Sequence, residues 1–94
     1  MVSPAVWRRL FKPAYGRLVA AIHAAGAAAS FHSDGMIAEI LPDLLDLGWD
    51  ELNPQVHVMG IGRVAGLLAG RVCVRADIDR QQTLPRGSPA EVAA

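Results

Sequence analysis

Apolar residues recur every three to four positions over the first quarter of the chain. Trp7, Leu10, Phe11, Ala14, Leu18, Ile22 and Ala25 fall on one helical face. Ser3-Pro4 opens this helix, the serine as side-chain cap and the proline at the first helical position. Pro13 lies inside the pattern, so a kink or two abutting helices are expected near residue 12. Gly26 supplies the stop. The period then changes. Ala28 to His32 is a short, mostly apolar run leading into Ser33-Asp34-Gly35, which predicts a buried parallel strand followed by a loop. Helical spacing returns from Met36 to Leu47, with Ile37, Ile40, Leu41, Leu44 and Leu45 on one face, a kink at Pro42 and an end at Gly48. Trp49 to Asn53 predicts a second strand, closed by Pro54. Ile61 to Leu68 predicts a short helix with Val64, Leu67 and Leu68 inward and Gly70 as its stop. Val72-Cys73-Val74 predicts a third strand, followed by the acidic turn Asp77-Ile78-Asp79. Ser88-Pro89-Ala90-Glu91 opens a last helix, with Glu91 three residues after the serine as in a capping box.

The predicted order is α-β-α-β-α-β-α, which points to an α/β fold with a parallel sheet. The strand centres near residues 30, 51 and 73 lie about 21–22 residues apart, the rhythm of compact βα units. Residues 1–94 read as one domain.

Nine basic and nine acidic residues give a formal net charge of zero. That argues against a non-specific nucleic-acid binder, which needs excess positive charge to displace phosphate counterions. A hydrophobic content of 52% and a mean hydropathy of +0.27 exclude a disordered chain. They are also high for so short a chain, which buries only a modest share of its surface. The most apolar stretch, Leu18 to Phe31, is 14 residues long, below the roughly 20 a membrane-spanning helix needs. Arg8-Arg9-Leu10-Phe11-Lys12 resembles a twin-arginine signal, but Pro13, Tyr15, Gly16 and Arg17 separate it from the apolar run. Cleavage at Ala27-Ala28-Ala29 would start the product inside a strand, so cytoplasmic residence is expected. Cys73 is the single cysteine; set mid-strand between valines, it is expected to be buried and inert.

In parallel α/β folds, ligands bind at the carboxyl ends of the strands. Three polar clusters fall there: His32-Ser33-Asp34-Gly35, Asn53-Pro54-Gln55 and Asp77-Ile78-Asp79-Arg80. His32 offers acid–base chemistry or a metal ligand, against the alternative of a strand-end imidazole bonded to backbone. Asp34-Gly35 presents a carboxylate to a ligand or caps the helix at Met36, the cap being the favoured role. Asp77 and Asp79 alternate along extended chain, so one is expected to face the barrel axis while the other caps or pairs with an arginine, and either offers a carboxylate to a ligand. His23 and His57 read as structural or solvent-exposed, and Arg8, Arg9, Lys12 and Arg17 as a solvated helix face. Gly60-Ile61-Gly62 is too short for a dinucleotide signature.

Read in order, these segments resemble the uroporphyrinogen decarboxylase family. The stretches that carry the resemblance are SPAVWRRLFKPAYGRLVAAIHAAG, FHSDGMIAEILPDLLDLGWDELNP and RVCVRADIDRQQTLPRGSPAEV, almost the whole chain. The second is the most specific, with its strand, His-Ser-Asp-Gly, ILPDLLDLG, and a strand ending in Asn-Pro. The resemblance implies a (β/α)8 barrel, of which this chain matches about three βα units within the second half. It implies a carboxy-lyase of porphyrin biosynthesis that removes acetate carboxylates from a tetrapyrrole without a cofactor. His32, Asp34, Gly35, Asn53, Asp77 and Asp79 then become the substrate-binding candidates. The same family contains corrinoid-linked methyltransferases that use zinc, with a second-strand motif His-x-Cys-Gly. Here Asp34 stands at that cysteine position, so His32 and Asp34 offer at most a nitrogen-and-oxygen metal site. Ala76 stands where many relatives carry glycine, and Gly60 where many carry aspartate.

The resemblance also implies that the family's essential aspartate and arginine lie in an N-terminal segment outside this sequence. Three expectations follow. The chain is a barrel fragment inactive by itself; or it belongs to the methyltransferase branch; or it is a non-catalytic α/β module that completes a barrel as a homo-oligomer or with a complementary chain. The sequence predicts no nucleic-acid or membrane partner.

Overall fold

The computed structural model describes residues 2–94. Helices α1 (Pro4–Leu10) and α2 (Lys12–Ala24) abut at Phe11, the break expected near residue 12. Ser3 Oγ accepts the Val6 N–H at 3.3 Å and caps α1. The end of α2 is a Schellman motif: Gly26 takes φ +75°, its N–H reaches the His23 carbonyl and the Ala27 N–H reaches the Ile22 carbonyl. Only glycine takes that left-handed geometry without strain.

The strands are β1 (Ser30–Ser33), β2 (Glu51–Pro54) and β3 (Cys73–Val74). They form a three-stranded sheet, all parallel, in the order β1-β2-β3. Ser30 stands opposite Glu51, and Glu51 opposite Cys73, which keeps the expected rhythm of about 21–22 residues. The α/β class with a parallel sheet is therefore the observed one.

The connection from β1 to β2 is a turn of 3₁₀-helix (Ala38–Ile40) and helix α3 (Leu41–Asp46). Pro42 does not kink a continuous helix here. It sits in the first turn of α3, where its missing N–H costs nothing. Between β2 and β3 lie α4 (Val56–Met59), which the apolar period did not predict, and α5 (Ile61–Leu68). After β3 come α6 (Thr83–Arg86) and α7 (Pro89–Ala93). The capping box of α7 is present: Ser88 Oγ accepts the Glu91 N–H and Glu91 Oε2 accepts the Ser88 N–H at 2.8 Å. No helix of the described residues is long and apolar enough to cross a membrane.

The core joins Trp7, Val19, Ile40, Leu41, Leu44, Trp49, Leu52, Val64 and Leu68, with Tyr15, Phe31 and Leu67 packed against it. Five members of the expected helical face lie outside. Leu10, Phe11, Ala14, Leu18 and Ala25 are exposed, and Tyr15 and Val19 face inward instead. The break at Phe11 resets the helical phase, so one stripe cannot run through both helices. The aromatic rings of Trp7 and Tyr15 stack at 5.9 Å, and Phe31 meets Trp49 at 5.3 Å, both in the favourable range for ring pairs.

Two further expectations are corrected at the sheet. Strand β1 is not buried on both sides: its residues alternate between exposed and half-buried, as suits an edge strand covered on one face. Cys73 is exposed, not buried, because β3 is the other edge and α6 and α7 pack on each other instead of over it. A thiol reagent is accordingly expected to modify Cys73 in the folded protein about as fast as in urea; strong protection in the native state would contradict the exposed edge.

The basic face of α1 and α2 is also more than a solvated surface. Arg8 Nε donates to Asp43 Oδ2 at 2.9 Å, and Lys12 Nζ donates to Asp43 Oδ1 at 2.7 Å. Burial pushes the Asp43 carboxyl up, but the Lys12 and Arg8 hydrogen bonds outweigh it and hold the group below its ordinary value. Asp50 is held low by the Ala29 N–H, which it accepts at 2.7 Å, and by His23, whose Nε2 lies 2.8 Å away. Thus His23 ties α2 to the sheet. A carboxyl with a depressed folded-state pKa binds fewer protons than its unfolded counterpart. Its contribution is complete above the unfolded value of about 3.9 and is lost as pH falls through the lower folded value. Thermal midpoints are therefore expected to drop as pH falls below about 4. Asp43→Asn should shrink that drop while lowering stability at pH 7 by about 1–2 kcal/mol, a modest figure because Arg8 is half in solvent.

Candidate functional site

The carboxyl ends of the three strands bring His32, Asn53 and Asp77 into one row. His32 is the third residue of β1, Asn53 stands opposite it on β2, and Asp77 follows β3. Asn53 is buried and is the hub. Its Oδ1 lies 2.6 Å from His32 Nδ1, which is also 3.1 Å from the Asn53 carbonyl, so both partners of Nδ1 are acceptors and that nitrogen carries a proton. Asn53 Nδ2 donates to the Arg75 carbonyl at 2.8 Å and to Asp77 Oδ2 at 3.1 Å. One amide thus couples three parallel strands, because a β2 side chain facing this side has a neighbour strand on each flank.

The far side of the imidazole faces a second cluster. His32 Nε2 lies 3.1 Å from Asp34 Oδ1. The same oxygen accepts from Gln55 Nε2 at 2.9 Å and contacts the Arg80 guanidinium. Hydrogen bonds from Arg80 first, and from Gln55 second, hold the Asp34 carboxyl below its ordinary range, with the positive field of Arg80 adding to them. His32, Asp34 and Arg80 are each about half-exposed, so the group opens to solvent.

The structure therefore gathers four of the six sequence candidates: His32, Asp34, Asn53 and Asp77. Gly35 adjoins them in the loop, where its N–H donates to Ser33 Oγ at 3.2 Å. Asp34 does not cap the helix after Met36; the 3₁₀ turn has no side-chain cap, since the carboxylate is drawn to Arg80. Asp79 turns away from the row. Its oxygens accept the N–H groups of Gln81 at 2.9 Å, Gln82 at 3.3 Å and Thr83 at 3.3 Å, so Asp79 is the aspartate of the pair that caps. Gln55, Arg80 and His57 were not assigned to the site from sequence. Gln55 and Arg80 lie within the predicted strand-end clusters, which was the available signal. His57 had none, because α4 brings it there; its Nε2 donates to the Asp77 carbonyl at 2.8 Å.

Beside this group a cleft of about 570 Å³ lies between α1, α2 and the end of β1. Trp7, Tyr15, Phe31, Met36 and Ile37 line it together with His32, Ser33 and Glu39. Its lining is largely apolar, and it stands half open to solvent.

The donor set does not fit the zinc centre of the methyltransferase branch. Among the described residues no group of three or more His, Cys, Asp or Glu side chains is placed to hold a metal ion. Cys73 lies on the edge strand, and the one carboxylate beside His32 is already neutralised by Arg80, whose charge opposes a cation. Comparisons with family models, with curated proteins and with solved structures return no match. Fold and site thus define an α/β protein with an open parallel sheet and a hydrogen-bonded polar cluster at its strand ends.

Proposed function

We infer that the chain is a uroporphyrinogen-decarboxylase-like protein, three consecutive βα units of a (β/α)8 barrel that bind a tetrapyrrole carboxylate over their strand ends. The observation that carries this reading is the row His32–Asn53–Asp77, hydrogen-bonded across three parallel strands at the end where such folds bind ligands. The quoted resemblance supplies the substrate class and a reaction without a cofactor. The apolar cleft next to His32 suits the flat body of such a ligand, and the row suits its polar edge. An exposed, unpaired thiol agrees with a reducing compartment, and the proposal locates the chain in the cytoplasm.

On this reading the chain binds without turning over. Its site is open, so proton transfers to a bound substrate would compete with water, and electrostatic stabilisation would be screened. Purified protein is expected to leave uroporphyrinogen unconverted. Titration with uroporphyrin, followed at the Soret band, is expected to shift the spectrum, with affinity reduced roughly tenfold or more by Asn53→Ala, the loss of one well-placed hub. No spectral change with the unmodified chain, or a change that Asn53→Ala leaves intact, would overturn the reading.

The open edge of β3 favours a second reading, a module that pairs with a second copy or with a complementary chain. Val56, Ile61, Val64, Leu68 and Val74 line an apolar groove of about 290 Å³ beside that edge, and an unpaired parallel strand invites another. Light scattering distinguishes the outcomes: a mass above 10.0 kDa supports pairing, and a folded monomer of 10.0 kDa refutes it.

A further inference from the structure

Side chains from three separate elements surround a single oxygen, Asp34 Oδ1: Gln55 donates to it, Arg80 pairs with it, and His32 Nε2, whose ring already carries a proton on Nδ1, donates to it only as the imidazolium. His32 Nε2 comes from the end of β1 at 3.1 Å, Gln55 Nε2 from the residue after β2 at 2.9 Å, and Arg80 Nη2 from the turn after β3. One amide, one guanidinium and, in its protonated form, one imidazole ring around a single point make an arrangement that receives an oxyanion. The carboxylate at that point does little for the fold. Asp50, Asp79 and Glu91 each accept a backbone N–H and so hold a local turn or cap. Asp34 accepts none among the described residues and is half-exposed on a loop. Arg80 uses only Nη2 toward Asp34, which leaves Nε and Nη1 free of that contact for the two-oxygen grip that guanidinium gives to carboxylates.

We propose that His32, Gln55 and Arg80 form a carboxylate-binding site that the Asp34 side chain fills in the free protein, and that a carboxylate ligand binds by displacing it. Asp34 is then an internal stand-in for the ligand. It keeps two cationic or donor-rich side chains from facing each other unpaired, and it sets a threshold that an incoming carboxylate must exceed. Exchange of one carboxylate for another conserves charge at Arg80, so displacement leaves no buried ion behind. The site goes beyond the tetrapyrrole reading, because any small carboxylate should occupy it; loss of uroporphyrin binding would leave it standing.

The test uses acetate as probe, at constant ionic strength set by sodium chloride, with the His32 ring protons followed by NMR in the full chain. Asp34→Ala is expected to bind acetate about tenfold more tightly than the unmodified protein, because the competing carboxylate is gone. Asp34→Ala combined with Arg80→Ala is expected to lose that gain. Asp46→Ala removes the same charge at an exposed position of α3 and is expected to leave acetate affinity unchanged. Asp34→Ser serves the same purpose should the alanine variant lose its far-UV circular dichroism. Equal gains from Asp34→Ala and Asp46→Ala, or a gain that survives Arg80→Ala, would sink the proposal.

Discussion

Leu52→Ala is expected to lower the unfolding free energy by about 3–4 kcal/mol, the range for emptying a fully buried leucine site. Leu52 has no solvent exposure and lies on the central strand, between Phe31 on β1 and Val74 on β2's other neighbour. The sheet fixes it from both sides, so the backbone cannot collapse into the space left behind. Domains of this size are stabilised by only about 5–10 kcal/mol, so the substitution removes a large part of the total. Urea unfolding followed by circular dichroism should show the midpoint falling with little change in slope. Leu18→Ala is the matched control. The helical period alone places Leu18 on the buried face, but the structure leaves it exposed, so its replacement should cost no more than about 0.5 kcal/mol. A large loss at Leu18 together with a small one at Leu52 would contradict the observed packing.

Asn53→Ala carries the second large effect, a loss of about 2–3 kcal/mol. The buried amide satisfies His32 Nδ1, the Arg75 carbonyl and Asp77 at once. Removing it strips each of these of a partner, and unsatisfied buried groups cost about 1–3 kcal/mol each when water cannot reach them. Water reaches Asp77 and His32, so the expected loss is well below the sum. Asn53→Asp should be at least as harmful, despite its shape, because the second oxygen would face the Arg75 carbonyl and the Asp77 carboxylate where the amide now donates. Asn53→Ala should also change the His32 ring resonances, because the partner of Nδ1 is lost.

The position of the polar row was legible in the sequence. Each strand ends in a polar cluster, and parallel strands bring such ends to one side. Which residues face each other was decided by the register, which sets Ser30 opposite Glu51 and so residue 32 opposite residue 53. The roles were less legible. Asp34 followed by Gly35 has the local signature of a helix cap, yet it pairs with Arg80 across the sheet ends. Asp79 has the same local chemistry and does cap. What separates them is the presence of a guanidinium within reach of one and not the other, and no local pattern records that.

Alternation of helical and strand periods, the break near residue 12, the glycine stop after α2 and the capping box of α7 were determined by the sequence itself, because each depends on contacts within about four residues. The tertiary structure alone decided which stripe of α2 is buried, that Asp43 draws Arg8 and Lys12 into an ion-paired cluster, that Cys73 lies on an open edge, and that Asp34 meets Arg80. Those outcomes depend on which elements become neighbours and on which strand is left at the edge of the sheet. Such relations form between residues far apart in the chain, where spacing and side-chain type set what a residue can do but not what it meets.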